Sequence, residues 1–198
     1  QDRDLSVYDT AHLFSVEELF EFFDDDTLTK AFTALHSIVD RVQDYSLEHT
    51  PIVPKGRIPE FEKPTYEDFY HGEDLPNIKV MVESGHETDG YLMKLALDGL
   101  KKHGLLDKND YLKRLDLEVG ELVKITENIG QPMSSYFIAQ HDFVDIMWSQ
   151  SLVGPGRGSS SCWLLNYLIG LTQVDALKYD LPHYRFLSAE RVTENTAS

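Results

Sequence analysis

Apolar residues near the start of the chain recur with the three- and four-residue spacing of amphipathic helices. Ser15 and Glu18 have the spacing of a capping box, which predicts a helix that continues to about Phe23. Thr27 follows an acidic run at 24–26 and is placed to cap a second helix. The apolar stripe of this second helix consists of Leu28, Ala31, Phe32, Leu35, Ile38, Val39 and Val42. The acidic run admits a metal site as an alternative, but its position between two helices favours a solvated turn with capping residues.

Prolines interrupt the helical spacing after this segment. Residues 45–88 have few periodic apolar positions and contain Pro51, Pro54, Pro59, Pro64 and Pro76. One strand is expected within this stretch, at Ile78–Val82. The pattern therefore predicts a helical N-terminal segment at 1–50, a proline-rich connection at 51–87 and the main body at 88–198.

Two long helices open the main body. Thr88 or Asp89 is placed to cap the first of them, and Gly104 is placed to end it. Asn109 begins the second helix, and Gly130 ends it. The apolar face of the first consists of Tyr91, Leu92, Leu95, Ala96 and Leu100. The apolar face of the second consists of Tyr111, Leu112, Leu115, Val119, Leu122, Val123 and Ile129.

Short apolar runs alternate with helical spacing in the rest of the sequence. Tyr136–Ala139 is short and aromatic, so we predict a strand there, followed by a helix at 141–149. Leu152–Val153 is predicted as a second short strand, which leads into a glycine-rich loop and a helix at 159–170. The order helix, strand, helix, strand, glycine loop and helix predicts an α/β fold.

The glycine-rich loop is the clearest chemical signal in the chain. Gly154, Gly156 and Gly158 precede three serines, and a helix is predicted directly after them. Glycines let the backbone approach a ligand closely, and the first amides of a helix favour phosphate groups. Arg157 adds a cation with forked donors. The spacing also fits an ordinary strand-to-helix turn, because it lacks a Walker lysine and is one residue short of the dinucleotide fingerprint.

The charge distribution narrows the choice of ligand. The 198 residues carry a net charge of −16, which argues against nonspecific DNA binding over the whole surface. Residues 1–50 contain twelve acidic and three basic side chains, whereas residues 151–198 contain four of each. The acidity therefore lies away from the glycine loop, and a local phosphate site is compatible with the composition.

Cysteine content and hydropathy indicate the compartment. Cys162 is the one cysteine, so no internal disulfide is expected, which favours a reducing, cytoplasmic location. No apolar run reaches the ~18 residues that a membrane span requires, so no membrane partner is expected. The chain begins at Gln1 and shows no signal peptide at that end.

Several motifs around the glycine loop resemble the palm region of the bacterial and phage replicative DNA polymerase III alpha subunit, the C-family polymerases. The loop itself, at 153–159, carries the resemblance together with Tyr167, Gly170, Thr172 and Asp175. The flanking matches are Tyr91-Leu92, Gly99-Leu100, Tyr136-Phe137, Asp142-Phe143, Arg185-Phe186-Leu187 and Glu190-Arg191-Val192. The resemblance covers roughly residues 88–193 well and residues 8–87 loosely.

The resemblance implies the nucleotidyltransferase fold shared with polymerase beta, present here as a partial palm behind a helical N-terminal part. In that family the glycine–serine turn holds the triphosphate of the incoming deoxynucleoside triphosphate (dNTP). Gly158 and Ser159 would then supply amide and hydroxyl contacts, and Arg157 a neighbouring cation. Cys162 and Trp163 stand where the family has small residues, so their bulk is expected to crowd a phosphate or reshape the start of the helix.

Two further arginines belong to the same implied site. Arg185 and Arg191 would contact phosphates or the DNA backbone. Their alternative role is a structural ion pair with Asp180 or Glu190.

The resemblance also implies Mg²⁺, which two aspartates on an acidic strand would hold directly after the Glu-Arg-Val match. Here Val192 is followed by Thr-Glu-Asn-Thr-Ala-Ser, and Glu194 alone does not offer the paired oxygens that two cations need. We therefore expect no metal site and no catalytic residue in this chain, which should be inactive alone. Mg²⁺, the DNA primer-template, the remaining polymerase domains and other replisome subunits would belong to the complete enzyme.

Three readings remain open at the level of the sequence. The chain is the first part of a polymerase palm, or a catalytically silent palm-like module that acts as a replication accessory. The third reading, an unrelated small-molecule phosphate binder, rests on the glycine loop alone.

Overall fold

A computed structural model describes residues 12–44, 46 and 53–192, and every regular element in these ranges is helical. The α-helices are α1 (Val16–Phe22), α2 (Asp25–Val39), α3 (Pro76–Glu83), α4 (Glu87–His103), α5 (Asn109–Ile129), α6 (Ser134–Gln150) and α7 (Leu164–Leu168). Short 3₁₀ turns lie at Tyr66–Asp68, Gly158–Cys162 and His183–Arg185.

The predicted α/β fold, with its polymerase-beta-like partial palm, is wrong for the described residues, because they contain no β-strand. Ile78–Val82 lies inside α3, Tyr136–Ala139 lies inside α6, and Leu152–Val153 has no regular structure. A short apolar run fits one face of a helix as well as it fits a strand, so the spacing alone does not separate the two.

Specific contacts explain why α3 is a helix. Pro76 occupies its first turn, where the missing N–H costs nothing. The carboxylate of Asp116 on α5 accepts hydrogen bonds from the backbone N–H groups of Asn77 (2.9 Å) and Ile78 (2.8 Å). These two amides would otherwise have no partner in the first turn, so a distant residue caps the helix.

Three of the helix ends predicted from local signals are confirmed, whereas the predicted caps at Thr27 and at Thr88 or Asp89 are wrong, since α4 already begins at Glu87. Ser15 and Glu18 form both hydrogen bonds of the capping box at the start of α1. Gly104 and Gly130 end α4 and α5 in the left-handed conformation, each with φ of 66°. At the start of α2, Asp24 is the capping residue in place of Thr27, whose backbone N–H donates to the Asp24 carboxylate at 2.7 Å.

The chain divides into two compact units, 1–48 and 49–198. In the first unit α1 packs against α2. In the second unit α4 contacts α3, α6 and α7, while α5 packs against α3 and α7. The finer division of the second unit into a connection at 51–87 and a domain at 88–198 stays a prediction.

The core of the second unit brings α4 and α7 into backbone contact. A Cβ atom on Gly99 of α4 would lie 2.2 Å from the carbonyl oxygen of Leu168 in α7, so only glycine fits at this crossing. The fully buried side chains include Phe69, Leu75, Ile78, Leu92, Met93, Leu100, Leu112, Leu115, Leu122, Ile125, Phe137 and Trp163. This core fixes α7, and with it the segment that precedes α7, the glycine-rich loop.

Candidate functional site

The glycine–serine turn, defined here as Arg157, Gly158 and Ser159, is exposed to solvent. Gly158 has φ of 65°, in the left-handed region that glycine adopts without strain. It begins the 3₁₀ turn Gly158–Cys162, and the hydroxyl of Ser160 donates to the Arg157 carbonyl at 2.8 Å. The first amides of a helical turn lack partners within that turn, so the backbone here can offer donors to an anion.

Hydrogen bonds from the neighbouring chain anchor the loop on both sides of the turn. The backbone N–H of Gln173 donates to the carbonyl of Pro155 at 2.6 Å. The side-chain amide of Asn166 donates to the carbonyl of Ser160 at 2.8 Å. A Cβ on Gly156 would lie 2.4 Å from the Ser161 hydroxyl, so the loop packs closely against its own continuation.

The predicted helix at 159–170 is interrupted. Trp163 has φ of −105° and ψ of 128°, an extended conformation that separates the 3₁₀ turn from the short α7. The interruption turns the indole inwards, where it is fully buried, stacks on Phe137 at 5.8 Å between ring centroids and meets the edge of Phe186 at 5.4 Å. Its Nε1–H donates to the His183 carbonyl at 2.8 Å.

This geometry shows where the bulk of Cys162 and Trp163 lies, while the expectation that it crowds a phosphate stays a prediction. Both side chains are buried, whereas the glycine–serine turn is exposed. Their bulk therefore fills the core behind the turn. The second part of that expectation, a reshaped helix start, agrees with the interruption at Trp163.

An internal carboxylate already occupies the start of α7. The two oxygens of Glu118 accept the backbone N–H groups of Leu164 at 2.9 Å and Leu165 at 2.8 Å. Burial raises the pKa of the Glu118 carboxyl to about 7, against the lowering effect of these amides and of Arg114. A phosphate therefore cannot use the α7 amides and would have to bind at the preceding 3₁₀ turn.

Arg114 joins Glu118 to two other segments. Its Nε donates to a Glu118 oxygen at 2.6 Å in a pair one helical turn apart on α5. One guanidinium NH₂ group donates to the carbonyl of Cys162 at 2.7 Å and to that of Leu181 at 2.8 Å. The ion pair thus fixes Cys162, at the end of the 3₁₀ turn Gly158–Cys162. It also fixes Leu181, in the segment that leads to the 3₁₀ turn His183–Arg185.

The two predicted arginines lie on or beside that other turn. Arg185 ends the 3₁₀ turn His183–Arg185, which packs against Gly158–Cys162, and its side chain is exposed. Among the residues that the structure describes, Arg185 forms no ion pair, so the alternative role of pairing with Asp180 or Glu190 is not seen for it. The guanidinium of Arg191 donates to the Tyr184 carbonyl at 2.5 Å. The fold therefore brings the glycine–serine turn next to the segment that carries both arginines.

Sequence reasoning missed Arg114 and Glu118. The signal was available, because Glu118 falls in the apolar stripe of α5 that contains Leu115 and Leu122, with the spacing of residues on one helix face. An acidic residue inside such a stripe must be paired or neutralised when it is buried. Arg114, four residues earlier, is the partner that this position predicts.

Metal ligands were also tested against the structure. Within 12–44, 46 and 53–192, no group of three or more His, Cys, Asp and Glu side chains is close enough to hold a metal ion. In the acidic run, Asp24 caps α2 and Asp26 pairs with Lys30 at 2.5 Å. Glu194, considered above as a ligand, lies outside the described residues. The residues present do not fit the two-metal site that the resemblance implies.

Within residues 12–44, 46 and 53–192, none of the helices combines the length and the apolar character needed to cross a bilayer.

Comparisons with known proteins agree on one class of enzyme. A family model described as the bacterial DNA polymerase III alpha NTPase domain matches residues 90–195. Over 94% of its length the chain is 35% identical to the probable DNA polymerase YorL of Bacillus subtilis and to a DNA-directed DNA polymerase of Bacillus phage SPbeta. Over 63% of its length it is 37% identical to the DNA polymerase III subunit alpha of Staphylococcus epidermidis. The chain spans 15% of the first two relatives and 11% of the third.

Proposed function

The chain belongs to the bacterial DNA polymerase III alpha family, and we propose that its glycine–serine turn binds the triphosphate of an incoming dNTP during DNA replication. The observation that carries this proposal is the exposed turn at Arg157–Ser159, which opens a 3₁₀ turn on a rigid, buried support. Exposed amides, a hydroxyl and a cation at one place are the groups that phosphate recognition requires.

Each residue of the turn has a separate role in this proposal. Gly158 and Ser159 offer backbone amides, and Ser159 adds its hydroxyl. Arg157 supplies the charge, because its guanidinium makes forked hydrogen bonds to phosphate oxygens. Arg185 and Arg191 lie on the neighbouring segment, where they would contact the outer phosphates or the DNA backbone.

The wider context of the proposal is a complete polymerase. We propose that the primer-template DNA, the other polymerase domains and further replisome subunits complete the site, in the cytoplasm. Mg²⁺ would serve the complete enzyme by stabilising the charge on the attacking and leaving oxygens. Since the described residues offer no ligand set for it, no catalytic step is derived for this chain, and its own contribution is to bind and orient phosphate.

Calorimetric titration with dATP tests the proposal directly. Arg157→Ala should weaken binding by about ten- to a hundredfold, because a charge-assisted hydrogen bond contributes about 1.5–3 kcal/mol. Gly158→Val should abolish binding, because a branched side chain strains a backbone with φ of 65° and obstructs its approach to phosphate.

Two substitutions elsewhere provide matched controls. Arg57→Ala removes an exposed arginine of the same unit, and Gly154→Val adds the same side chain where a Cβ meets no atom within 4 Å and φ is not positive. Both controls should keep the wild-type affinity. Absence of dATP binding by the unmodified chain, or unchanged affinity in Gly158→Val, would contradict the proposal.

One surface favours a second candidate function, contact with another protein in the replication machinery. Phe143, Ile146 and Met147 lie on one face of α6 and expose 58%, 61% and 52% of their surface. Contiguous exposed apolar side chains are typical of interaction sites. A chain that binds no dATP in the titration above would support this function over the first.

A further inference from the structure

Helix α5 carries two buried carboxylates, on different sides of the helix, that each accept hydrogen bonds from the first amides of another helix. Asp116 accepts the backbone amides of Asn77 and Ile78 at the start of α3. Glu118 accepts those of Leu164 and Leu165 at the start of α7. Only Glu118 is also paired with an arginine. The two carboxylates therefore differ in the helix whose amides they accept, α3 or α7. They differ also in that Glu118 forms an ion pair with an arginine.

That arginine links the two segments of the candidate phosphate site. Arg114 contacts the carbonyl of Cys162, the last residue of the 3₁₀ turn that Gly158 begins. The same NH₂ group contacts the carbonyl of Leu181, two residues before the 3₁₀ turn that ends at Arg185. Together the pair makes four hydrogen bonds to the backbone of these two segments, at 2.7–2.9 Å.

We propose that the Arg114–Glu118 pair positions the glycine–serine turn and the Arg185 segment for phosphate binding, an inference that rests on the proposed function. Neither side chain touches the ligand in this scheme: Glu118 is fully buried, and the Arg114 side chain is only 17% exposed. They are positioning residues, which set where the exposed groups lie.

The physical case is that the pair couples two separate loops through one rigid helix. A short loop followed by a five-residue helix has little intrinsic stability, so its backbone position depends on tertiary contacts. Buried ion pairs contribute little net stability, because desolvation offsets their attraction, whereas they do hold groups in one geometry. Removal of the carboxylate would leave two backbone amides and the Nε–H of Arg114 without their acceptor, and the turn would shift or fluctuate.

The experiment compares Glu118→Gln with Asp116→Ala in the full chain. Titration with dATP is made at pH 8, above the pKa of Glu118, at a temperature where circular dichroism shows each variant to be folded. Gln replaces one acceptor oxygen with a donor, so Glu118→Gln should weaken dATP binding about tenfold. Asp116→Ala removes the acceptor at α3 and should change the dATP affinity less than twofold. It should nevertheless lower the unfolding temperature at least as much as Glu118→Gln does. An equal loss in both variants, or no loss in Glu118→Gln, would overturn the inference.

If Glu118→Gln does not fold, Arg114→Lys replaces it in the comparison with Asp116→Ala. Lysine keeps the charge, but its single ammonium cannot reproduce the fork to Glu118, Cys162 and Leu181. We expect it also to weaken dATP binding while Asp116→Ala does not, and unchanged affinity would contradict the inference.

Amide hydrogen exchange separates this inference from the proposed function. Glu118→Gln should speed exchange at Trp163 and Gln173, whose amides donate to the carbonyls of Ser160 and Pro155 in the glycine-rich loop, whereas Asp116→Ala should speed it at Asn77 and Ile78. This result would support the positioning role even if the unmodified chain bound no dATP, in which case the proposed function alone fails. Unchanged exchange at Trp163 and Gln173 in Glu118→Gln would overturn the inference whatever the titration gives.

Discussion

Replacement of Trp163 by alanine should lower the free energy of unfolding by about 3–5 kcal/mol, as expected for deletion of a large buried aromatic side chain. The indole is fully buried between Phe137 and Phe186. The change would leave a cavity and also leave the His183 carbonyl without the donor that lies 2.8 Å away. Denaturant titration followed by circular dichroism measures the effect.

Trp148→Ala is the matched control, because the same side chain is removed from a position that is 42% exposed. It should cost about 1 kcal/mol or less. Similar losses for the two tryptophans would contradict the assignment of Trp163 to the core.

Gly99→Ala should destabilise the chain by about 1–3 kcal/mol or more, against the normal effect of this substitution in a helix. Alanine has the higher helix propensity by about 1 kcal/mol, so a change in the interior of α4 would ordinarily stabilise it. Here the added Cβ would lie 2.2 Å from the Leu168 carbonyl oxygen and 2.7 Å from the carbonyl carbon. Unlike a flexible side chain, these backbone atoms cannot rotate out of the way, so α7 must move away from α4.

Gly90→Ala tests the same substitution in the same helix. The three atoms nearest to its Cβ would all belong to the flexible side chain of Lys63, at 3.1–3.3 Å. We expect this variant to stay within about 1 kcal/mol of the wild type. A thermal melt that shows Gly99→Ala to be as stable as Gly90→Ala would contradict the close crossing of α4 and α7.

The raised pKa of Glu118 predicts how stability changes with pH. Its pKa is about 7 in the folded chain against an ordinary value of 4.5, so the folded state binds this proton more tightly. The associated stabilisation is present below about pH 4.5 and is lost as the pH rises through 7. Relative to Glu118→Gln, the unfolding free energy of the wild type should fall between these values by at most about 1.4 kcal/mol per pH unit. Denaturant titrations at several pH values check the sign, and a rise with pH would contradict it.

Local signals in the sequence were sufficient for three of the helix ends, although they misplaced the caps of α2 and α4. The capping box at Ser15 and Glu18 and the glycines at 104 and 130 act within a few residues, so their consequences could be read without a fold. The predicted strand at Ile78–Val82 failed for the opposite reason. Its first amides are capped by Asp116, 38 residues further along the chain, and no local pattern contains that contact.

In the candidate site too, local features could be predicted from the sequence, whereas long-range contacts could not. The family resemblance implied phosphate contacts at Gly158 and Ser159, and the structure shows both residues exposed. Their binding role stays a prediction. The support beneath them was not predicted, because Glu118 meets Leu164 and Leu165 across 46 and 47 residues. The sequence did show an acidic residue, Glu118, within the apolar stripe of α5. That pattern indicates a buried ion pair, but it does not show which backbone groups the pair contacts.

The internal capping of α7 by Glu118 has a consequence for how a nucleotide would be attracted. A helix dipole that is already compensated contributes little field at the surface, so long-range attraction must come from mobile, hydrated guanidinium groups. Such attraction is screened over about 10 Å at 0.1 M salt. Nucleotide affinity at this turn should therefore fall steeply as ionic strength rises, more steeply than at a loop whose helix terminus faces the ligand directly.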